Sequence, residues 1–468
     1  MSVFEAWHLP GLEPDHVEEW RERVLPDGVR LRWPWLRAGA MRELAGRVAA
    51  AREALDGVPV VEIIGAVNRV AARLVDPADP LRAEAAALLP AVTGFHPAMV
   101  TLVLDRMAAE WRTPALERLL QAELGGAAAL DGFVALPGGR RARAFGPRLA
   151  LHVFAGNVPG VAVTSLIRVL LVRGASVGKT AAGEPVLPVL FARALATEHA
   201  ALGDALAVTY WPGGEGPAEQ EALAAADVAV GYGNAAAMAA LRRAAPPGAR
   251  LVEHGPRVSV GIVGPGALTD PARAETVARE AARAIAVVDQ QGCVSPQALL
   301  VVDGCPVTPL AFTRALAAAF EQLEETLPRG GLEPGEAAAV HRLRNEAEFR
   351  AIAGAPVEIF AAPGTAWTVV LDATGELRAS CLNRFVTVHP VASVRAAVVR
   401  LTPLAAALQT VAVAGAEELE AAAAALGRLG ATRVTSFRAA PWPPGHGLHD
   451  GRGPLRELVR WTELEDGS

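Results

Sequence analysis

The feature that most constrains the fold is a regular alternation of strand and helix patterns that starts at Leu149. Pro159 lies near the start of the first helical stretch and Gly174 just past its end, the usual positions of these residues at helix ends. The predicted strands are Leu149–Ala155, Ala175–Lys179, Leu206–Trp211 and Asp227–Gly231, and the predicted helices are Pro159–Val172, Pro185–His199, Ala218–Ala226 and Ala235–Ala244. This rhythm indicates an α/β fold with a doubly wound parallel sheet.

A second unit of the same kind follows, and the first 145 residues differ in pattern. The second unit has predicted strands Arg250–Glu253, Val258–Val263 and Gln297–Val302, and predicted helices Pro271–Val288 and Leu310–Thr326. The first 145 residues are rich in Ala, Leu and Arg with helical periodicity, for example over Gly39–Leu55 and Val60–Leu74. We expect a helical N-terminal region over 1–145, α/β domains over 146–252 and 253–430, and a C-terminal tail over 431–468 that returns to the interface.

Composition is that of an enzyme without nucleic-acid or membrane contacts. The 468 residues carry a net charge of −6 and no basic patch large enough to suggest nucleic acid. The N-terminus lacks the pattern of a signal peptide, and polar residues and Pro159 interrupt the most apolar stretch, 149–172, so no membrane span is expected. Three cysteines, Cys293, Cys305 and Cys381, are too few for a disulfide framework and suit a reducing cytoplasm.

Lys179 is the single lysine of the chain, because arginine supplies the other basic residues. A compact ammonium on a flexible stem fits sites that a planar guanidinium does not, although chance survival of one lysine is the alternative. Lys179 ends a predicted strand just before a helix, where α/β sheets bind ligands. The segment is not a phosphate-binding P-loop, because only three residues separate Gly174 from Gly178.

Cys293 lies in a loop between a predicted helix and a predicted buried strand. Gly292 before it lets the backbone approach a substrate closely, and Gln290 and Gln291 make its lead-in polar. A nucleophilic thiol needs such a partly exposed, polar setting. We therefore expect Cys293 to be the nucleophile, with a buried structural cysteine as the alternative, and assign that structural role to Cys305 and Cys381.

Three motifs together carry a resemblance to a known family. They are FAGNVP at Phe154–Pro159, QQGCVSP at Gln290–Pro296 and HDGRGPLRELVRW at His449–Trp461. They resemble the acyl-CoA and acyl-protein thioester reductases of the aldehyde dehydrogenase superfamily, typified by the fatty-acyl reductase of the bacterial luminescence operon. The resemblance covers residues 145–465 and implies an aldehyde dehydrogenase-like fold with an NAD(P)-binding domain followed by a catalytic domain. It also implies a homo-oligomer that takes its acyl group from acyl-CoA, an acyl carrier or an acyl-protein synthetase.

The resemblance implies a reaction at Cys293. The thiol would attack the thioester carbonyl, and hydride from a nicotinamide would then reduce the enzyme-bound acyl group to an aldehyde. Asn157 falls on the oxyanion asparagine of the superfamily, and its alternative role is a helix N-cap before Pro159. Two other functions compete: oxidation of an aldehyde to the acid, and a non-catalytic scaffold subunit of an acyl-transfer complex.

The cofactor residues follow from the same resemblance. Lys179 falls on the adenosine-ribose lysine, and Ala182 replaces the carboxylate that often follows it, which favours NADPH, with NADH as the alternative. Gly233 and Asn234 fall where the family begins a helix beneath the pyrophosphate, although a plain strand-to-helix turn would look the same. Asn383 replaces the glutamate of the nicotinamide-ribose motif and leaves that contact open.

The sequence does not decide which residue acts as the general base. Glu253 aligns with the general base of oxidising members, but thioester reduction needs no activated water, so Glu253 would instead activate Cys293 or steer the departing thiol. His254 is the alternative base. Glu358 imitates the nicotinamide-ribose motif too early in the chain and is expected on the surface. His446 and His449 lack cysteine or carboxylate partners at metal-binding spacing, so we expect a loop and no metal.

Overall fold

The computed structural model describes residues 3–137 and 139–465, and the chain divides into two compact units. The first unit comprises Met1–Thr93, Val100–Gly255 and Pro444–Ser468, and the second comprises Gly94–Met99 and Pro256–Pro443. Residues 431–443, expected in the tail, group with the second unit because a short strand there extends its sheet. No helix among the described residues is long and apolar enough to cross a membrane.

The first unit contains eleven strands and eleven helices along the described part of the chain. Its strands are β1 (Val3–Glu5), β2 (Val17–Val24), β3 (Arg30–Leu36), β4 (Val134–Ala135), β5 (Arg141–Phe145), β6 (Leu149–Val153), β7 (Ala175–Thr180), β8 (Leu206–Tyr210), β9 (Val228–Tyr232), β10 (Arg250–His254) and β18 (Arg460–Leu464). Its helices are α1 (Ala40–Leu55), α2 (Val60–Val75), α3 (Pro80–Thr93), α4 (Pro97–Glu110, which begins within the second unit's short segment), α5 (Thr113–Leu124), α6 (Ala128–Asp131), α7 (Val161–Leu171), α8 (Leu187–Glu198), α9 (Ala200–Asp204), α10 (Ala218–Ala225) and α11 (Ala235–Ala244). A short 3-10 helix spans Pro14–His16.

The main sheet of the first unit is parallel, with strand order β10-β9-β6-β7-β8. Its inner strands are buried on both faces, which is why their sequences are nearly continuous apolar runs rather than alternating ones. Chain order reverses direction between β6 and β9. In sheets of this kind, ligands bind outside the carboxyl ends of the strands at that reversal. The residues after β6 and β9 are therefore the place to look for a cofactor.

The prediction of a helical N-terminal region is wrong for residues 3–36. These residues form the sheet β1-β3-β2, in which β3 pairs with β2 antiparallel and with β1 parallel. Charged and apolar residues alternate only over the first four residues of β3, Arg30–Trp33, which is too short a pattern to predict a strand. The helices predicted at 39–55 and 60–74 are confirmed as α1 and α2. The C-terminal β18 returns to this unit and pairs antiparallel with β5, with Trp461 opposite Ala144.

The second unit is built on a seven-stranded sheet of order β13-β14-β15-β12-β11-β16-β17. All neighbouring strands are parallel except β13 and β14. The strands are β11 (Val258–Val263), β12 (Pro296–Val302), β13 (Val357–Ala361), β14 (Thr368–Asp372), β15 (Phe385–Val391), β16 (Leu408–Ala414) and β17 (Arg433–Thr435). The helices are α12 (Pro271–Ala286), α13 (Pro309–Thr326), α14 (Pro334–Ile352), α15 (Val394–Arg400) and α16 (Leu419–Leu429), with 3-10 turns at Pro265–Ala267, Val287–Gln290 and Thr402–Ala407. Phe312, Phe320 and Trp367 lie in the core that α12 and α13 form against one face of the sheet.

Candidate active site

Cys293 is exposed in the loop between the 3-10 turn after α12 and strand β12. The buried Ser259 on β11 fixes this loop, because its hydroxyl donates to the Cys293 carbonyl at 2.6 Å. The same hydroxyl accepts from the backbone N–H of Thr410 on β16 at 3.1 Å. Cys293 is therefore an exposed residue on a loop whose backbone is hydrogen bonded to Ser259 on β11, which in turn is bonded to β16.

The residues just before Cys293 are conformationally strained. Val288, Asp289 and Gln290 have φ values of 49°, 49° and 67°, a left-handed run that non-glycine residues adopt only when the surroundings enforce it. Gln290 is fully buried and donates to the carbonyls of Pro296 and Phe385 at 2.8 and 3.1 Å. Such strain concentrates at functional sites, where it fixes one conformation of a loop.

A second left-handed run, Leu382–Arg384, contacts the first one. The backbone N–H of Asn383 donates to the Asp289 carbonyl at 3.1 Å, and the buried Arg384 pairs with the Asp289 carboxylate at 2.7 Å. The side-chain oxygen of Asn383 accepts from Gln291 at 3.1 Å. The structure thus places the predicted ribose residue Asn383 beside the lead-in to Cys293, with its side chain buried. Glu358, by contrast, is exposed on β13, as expected.

Arg433 is a functional candidate that the sequence did not reveal. It begins β17, directly opposite Thr410 in the register with β16, and its guanidinium donates to the carbonyls of Ala439 and Ala440 at 2.7 Å each. Burial lowers the pKa of Arg433, and the nearby Cys293 raises it. Arg433 is therefore a cation with which Cys293 interacts electrostatically. No sequence signal links the two residues, because 140 positions and five strands separate them.

The other two cysteines have surroundings that disfavour a thiolate. Burial raises the pKa of Cys381 to about 11, and burial with the neighbouring Asp303 raises that of Cys305. Both are partly rather than fully buried, which departs from the expected burial. Since the thiolate is the nucleophilic form, Cys293 is the better candidate on exposure and charge together.

Asn157 belongs to the first unit, where it follows β6 at the sheet reversal and is exposed. Helix α7 begins at Val161, and its N-cap is Gly160 with a φ of 92°. Asn157 is therefore not the capping residue, and that alternative reading is wrong. A Cβ at position 160 would meet the Met107 side chain at 2.9 Å, so both conformation and packing require glycine there.

Lys179 lies at the end of β7 and is almost fully buried. Its ammonium pairs with Glu219 of α10 at 2.6 Å and stands 5.9 Å from the centre of the Trp211 ring, a cation–π distance. Ala182 is exposed, as the residue replacing a ribose carboxylate would be. Sequence reasoning missed Glu219, the carboxylate that the structure places beside this lysine.

Gly233 and Asn234 connect β9 to helix α11. Asn234 is the N-cap, and its side chain accepts from the backbone N–H of Ala237 at 2.9 Å. This confirms the strand-to-helix turn. The start of α11 also lies at the carboxyl end of β9, beside the reversal of the sheet, where a helix N-terminus favours a phosphate.

Glu253 and His254, the two candidate bases, end strand β10, and each has a charged side chain as its partner. The Glu253 carboxylate pairs with Arg242 of α11 at 2.7 Å. His254 Nδ1 lies 2.7 Å from the carboxylate of Asp450, whose side chain is only 1% exposed. Burial lowers the pKa of His254, and the hydrogen bond that its ring donates to Asp450 opposes this shift.

The sequence predicted a loop at His449 but did not predict which side chains surround its ring. Its ring stacks on His254 with centroids 3.9 Å apart, and ligand atoms of His254, His449 and Asp450 lie within 4.8 Å of one another. Arg168 donates to His449 Nδ1 at 3.3 Å, so that nitrogen is occupied. A cation at these three residues would also face the positive charges of Arg168 and Arg452, which disfavour it.

Comparison with known proteins gives a family match over most of the chain. Residues 55–461 match the model of the acyl-CoA reductase (LuxC) family. A long-chain acyl-protein thioester reductase of Aliivibrio fischeri is 26% identical over 327 residues, which cover 68% of this chain and 64% of that protein. The chain thus spans less than two thirds of that relative in the match. A long-chain acyl-protein thioester reductase of Vibrio harveyi is 26% identical over 387 residues, which cover 80% of this chain and 76% of that protein.

Solved structures show the fold. Aldehyde dehydrogenase C from Pseudomonas syringae, solved with NAD+ and octanal, superposes with a TM-score of 0.74 at 16% identity over 98% of this chain and 96% of that chain. An NADP-dependent glyceraldehyde-3-phosphate dehydrogenase from Bacillus halodurans, solved with NADP, gives a TM-score of 0.74 at 15% identity over 96% of each chain. The expected aldehyde dehydrogenase-like α/β fold is confirmed.

Proposed function

The chain belongs to the acyl-CoA reductase (LuxC) family, and we propose that it reduces an acyl thioester to an aldehyde through an acyl-enzyme formed on Cys293. The observation that carries this proposal is the setting of Cys293, an exposed thiol on a strained, hydrogen-bonded loop with the guanidinium of Arg433 nearby. The names of the relatives, long-chain acyl-protein thioester reductases, support a fatty-acyl donor bound to a protein or to CoA.

The first half of the reaction depends on the cysteine. The Cys293 thiolate attacks the thioester carbonyl and expels the donor thiol as its own thiolate, leaving the acyl group on Cys293. Asn157 is the proposed donor to the oxygen on which negative charge develops, together with the backbone N–H of Cys293. The departing thiolate takes up the proton that the Cys293 thiol lost, with Glu253 or His254 as the base that holds it in between. Cys293, released as a thiolate together with the aldehyde, regains a proton from solvent, so each turnover consumes one proton.

A nicotinamide cofactor fits the residues of the first unit. The sheet reversal, the start of α11 after Asn234 and the ammonium of Lys179 all lie at the carboxyl ends of its strands. When bound, the cofactor supplies the hydride that reduces the acyl group. Cys293 then leaves as the thiolate when the aldehyde is released, and the buried Asn383 is the proposed contact to the nicotinamide ribose.

For the choice of cofactor we propose NADPH, with Lys179 as the cation for the 2′-phosphate. Ala182 leaves no carboxylate at the position from which the superfamily grips a ribose hydroxyl. Glu219 competes for the same ammonium and would have to release it. The preference for NADPH over NADH is therefore set by the balance between the phosphate and Glu219.

Cys293→Ser tests the proposal, with Cys305→Ser as the matched control. Wild type incubated with a labelled long-chain acyl-CoA should become covalently acylated, and with NADPH it should release free CoA and aldehyde. Cys293→Ser should lose both, because a serine hydroxyl is far less nucleophilic than a thiolate at neutral pH. Cys305→Ser should keep both. Acylation of Cys293→Ser at an unchanged rate would contradict the assignment.

A further inference from the structure

The loop that carries Cys293 is closed on itself by one side chain of the second unit. The carboxamide nitrogen of Gln290 donates to the Pro296 carbonyl at 2.8 Å, so the two ends of the segment 290–296 are hydrogen bonded to each other. Cys293 lies three residues from either end of this segment. The nucleophile proposed above is therefore the middle residue of a closed loop.

The same carboxamide ties the loop to the neighbouring strand. Its nitrogen also donates to the Phe385 carbonyl at 3.1 Å, and its oxygen accepts from the Phe385 backbone N–H at 3.0 Å. Phe385 is the first residue of β15, which pairs with β12. Both N–H donors and the oxygen of the fully buried Gln290 are thus used. Because the partners are two carbonyls and one N–H, only an amide in this one orientation satisfies all three.

The backbone that carries this side chain is held in a left-handed conformation. The φ values of Val288, Asp289 and Gln290 are 49°, 49° and 67°. The Asp289 carboxylate accepts from the buried Arg384 at 2.7 Å and from the backbone N–H of Gly330 at 3.0 Å. Such strain persists only where the surroundings over-determine it. The contacts of Asp289 therefore maintain the backbone from which the Gln290 amide crosses the base of the loop.

We propose that Gln290 is a positioning residue for Cys293, whose amide holds the loop in the conformation that presents the thiol to an acyl thioester. This inference rests on the proposed function. Attack on a thioester needs the sulfur close to the carbonyl carbon and correctly directed at it, and a misplacement of about 1 Å can cost about 100-fold in rate. Gln290 acts through the loop and not on the reacting atoms.

Gln290→Met tests the proposal, because methionine has a similar size but neither donates nor accepts as an amide does. Two reactions of Cys293 are compared: acylation by a labelled long-chain acyl-CoA without cofactor, and alkylation by iodoacetamide. The acylation rate should fall by about 100-fold, because the large donor needs a correctly directed thiol. The alkylation rate should stay within about threefold of wild type, because a small reagent reaches an exposed thiol from many directions.

Asp372→Asn is the matched control. Asp372 is also buried, and its carboxylate holds a different loop through the backbone N–H groups of Thr374 and Gly375 at 3.1 and 2.6 Å. It lies at the carboxyl end of β14, whereas Cys293 precedes the amino end of β12 in the same sheet. Asp372→Asn should therefore lower the free energy of unfolding but keep the wild-type rate of acylation.

Gln290→Glu provides a second variant in case the methionine variant does not fold. An ionised carboxylate would face two carbonyls, whereas the protonated acid has nearly the same shape as the amide and regains one donor. Burial favours the protonated form, so the acylation rate of Gln290→Glu relative to wild type should rise as the pH falls from about 8 to about 6.

The outcomes separate this inference from the function on which it rests. Acylation of Gln290→Met at the wild-type rate overturns the positioning role, and so does an equal fall in acylation and alkylation. A relative rate for Gln290→Glu that does not change with pH, or an Asp372→Asn variant that loses acylation as strongly, also overturns it. A wild type that is not acylated on Cys293 overturns the proposed function, and the positioning role with it.

Discussion

At the scale of single residues, the ion pair of Lys179 and Glu219 bears most directly on the choice between NADPH and NADH. An ammonium that is almost fully buried is stable only beside a counter-charge, and here that charge is a carboxylate 2.6 Å away. A 2′-phosphate would serve the same purpose with more charge and more acceptor atoms. The carboxylate therefore stabilises the ammonium in the free protein and would oppose a phosphate bound there.

We predict that Glu219→Gln strengthens NADPH binding and Lys179→Ala weakens it. A charge-assisted hydrogen bond is worth about 1.5–3 kcal/mol, so each change should shift the Kd for NADPH by about tenfold or more. The Kd for NADH should move much less. Quenching of tryptophan fluorescence by each nucleotide measures both constants without turnover. Glu215→Gln is the control, since Glu215 is exposed nearby and faces Arg21 at 4.0 Å. Equal effects on NADH and NADPH would show that Lys179 touches the ribose and not a phosphate.

Residue-scale prediction from sequence succeeded where the signal was local. Gly292 and the glutamines before Cys293 predicted an exposed thiol on a polar loop, and the structure shows that thiol exposed. Arg433 and Asp450 could not be predicted in this way. Each reaches its partner from a distant part of the chain, and arginines and Asp-Gly turns are common enough that neither is distinctive in a sequence.

At the scale of elements, helix α8 begins with a buried carboxyl group. Glu184 accepts from the backbone N–H groups of Val186 and Leu187 at 3.0 and 2.7 Å. Burial raises the pKa of Glu184 to about 8, although these two bonds lower it. The folded state therefore holds a proton that the unfolded state gives up above a pH of about 4.5. As pH rises from there towards about 8, the free energy of unfolding must fall.

We predict that Glu184→Gln gains stability relative to wild type between pH 5 and pH 8. The amide still caps the helix but has no proton to lose, and the gain should approach, at most, about 1.4 kcal/mol per pH unit. Urea unfolding at both pH values measures it. Asp270→Asn is the control, because Asp270 is the exposed N-cap of α12 and hydrogen bonds to Arg273 lower its pKa, so it is ionised at both pH values. A constant difference between Glu184→Gln and wild type would contradict the buried, protonated carboxyl.

Elements were predictable where burial made their pattern simple. From Leu149 to Thr326, most strand and helix bounds fall within about two residues of those expected, because strands buried on both faces read as apolar runs. The three N-terminal strands were missed because β2 is largely exposed and its sequence carries almost no apolar stripe. Their stability comes from pairing and from contacts such as Arg21 on the Trp35 ring, which local periodicity does not record.

At the scale of the whole molecule, the fold is shared with enzymes that oxidise aldehydes, so fold does not decide the direction of the reaction. Oxidation to the acid needs a water deprotonated beside the acyl-enzyme, whereas reduction of a thioester does not. Glu253, the aligned base, has its carboxylate in an ion pair with Arg242. Glu253 would have to leave this ion pair before it could deprotonate a water for the oxidative reaction.

We therefore predict that Glu253→Gln separates the two activities. Reduction of acyl-CoA should keep a substantial part of its rate, since thiol exchange needs no water, while any oxidation of aldehyde to acid should fall by about 100-fold. Both rates are measured with one chain length. Glu463→Gln is the control, because Glu463 is an exposed carboxylate paired with Arg140 in the same unit. A wild type that oxidises aldehyde faster than it reduces thioester would favour the aldehyde dehydrogenase alternative. Equal collapse of both activities would make Glu253, rather than His254, the base that ionises Cys293.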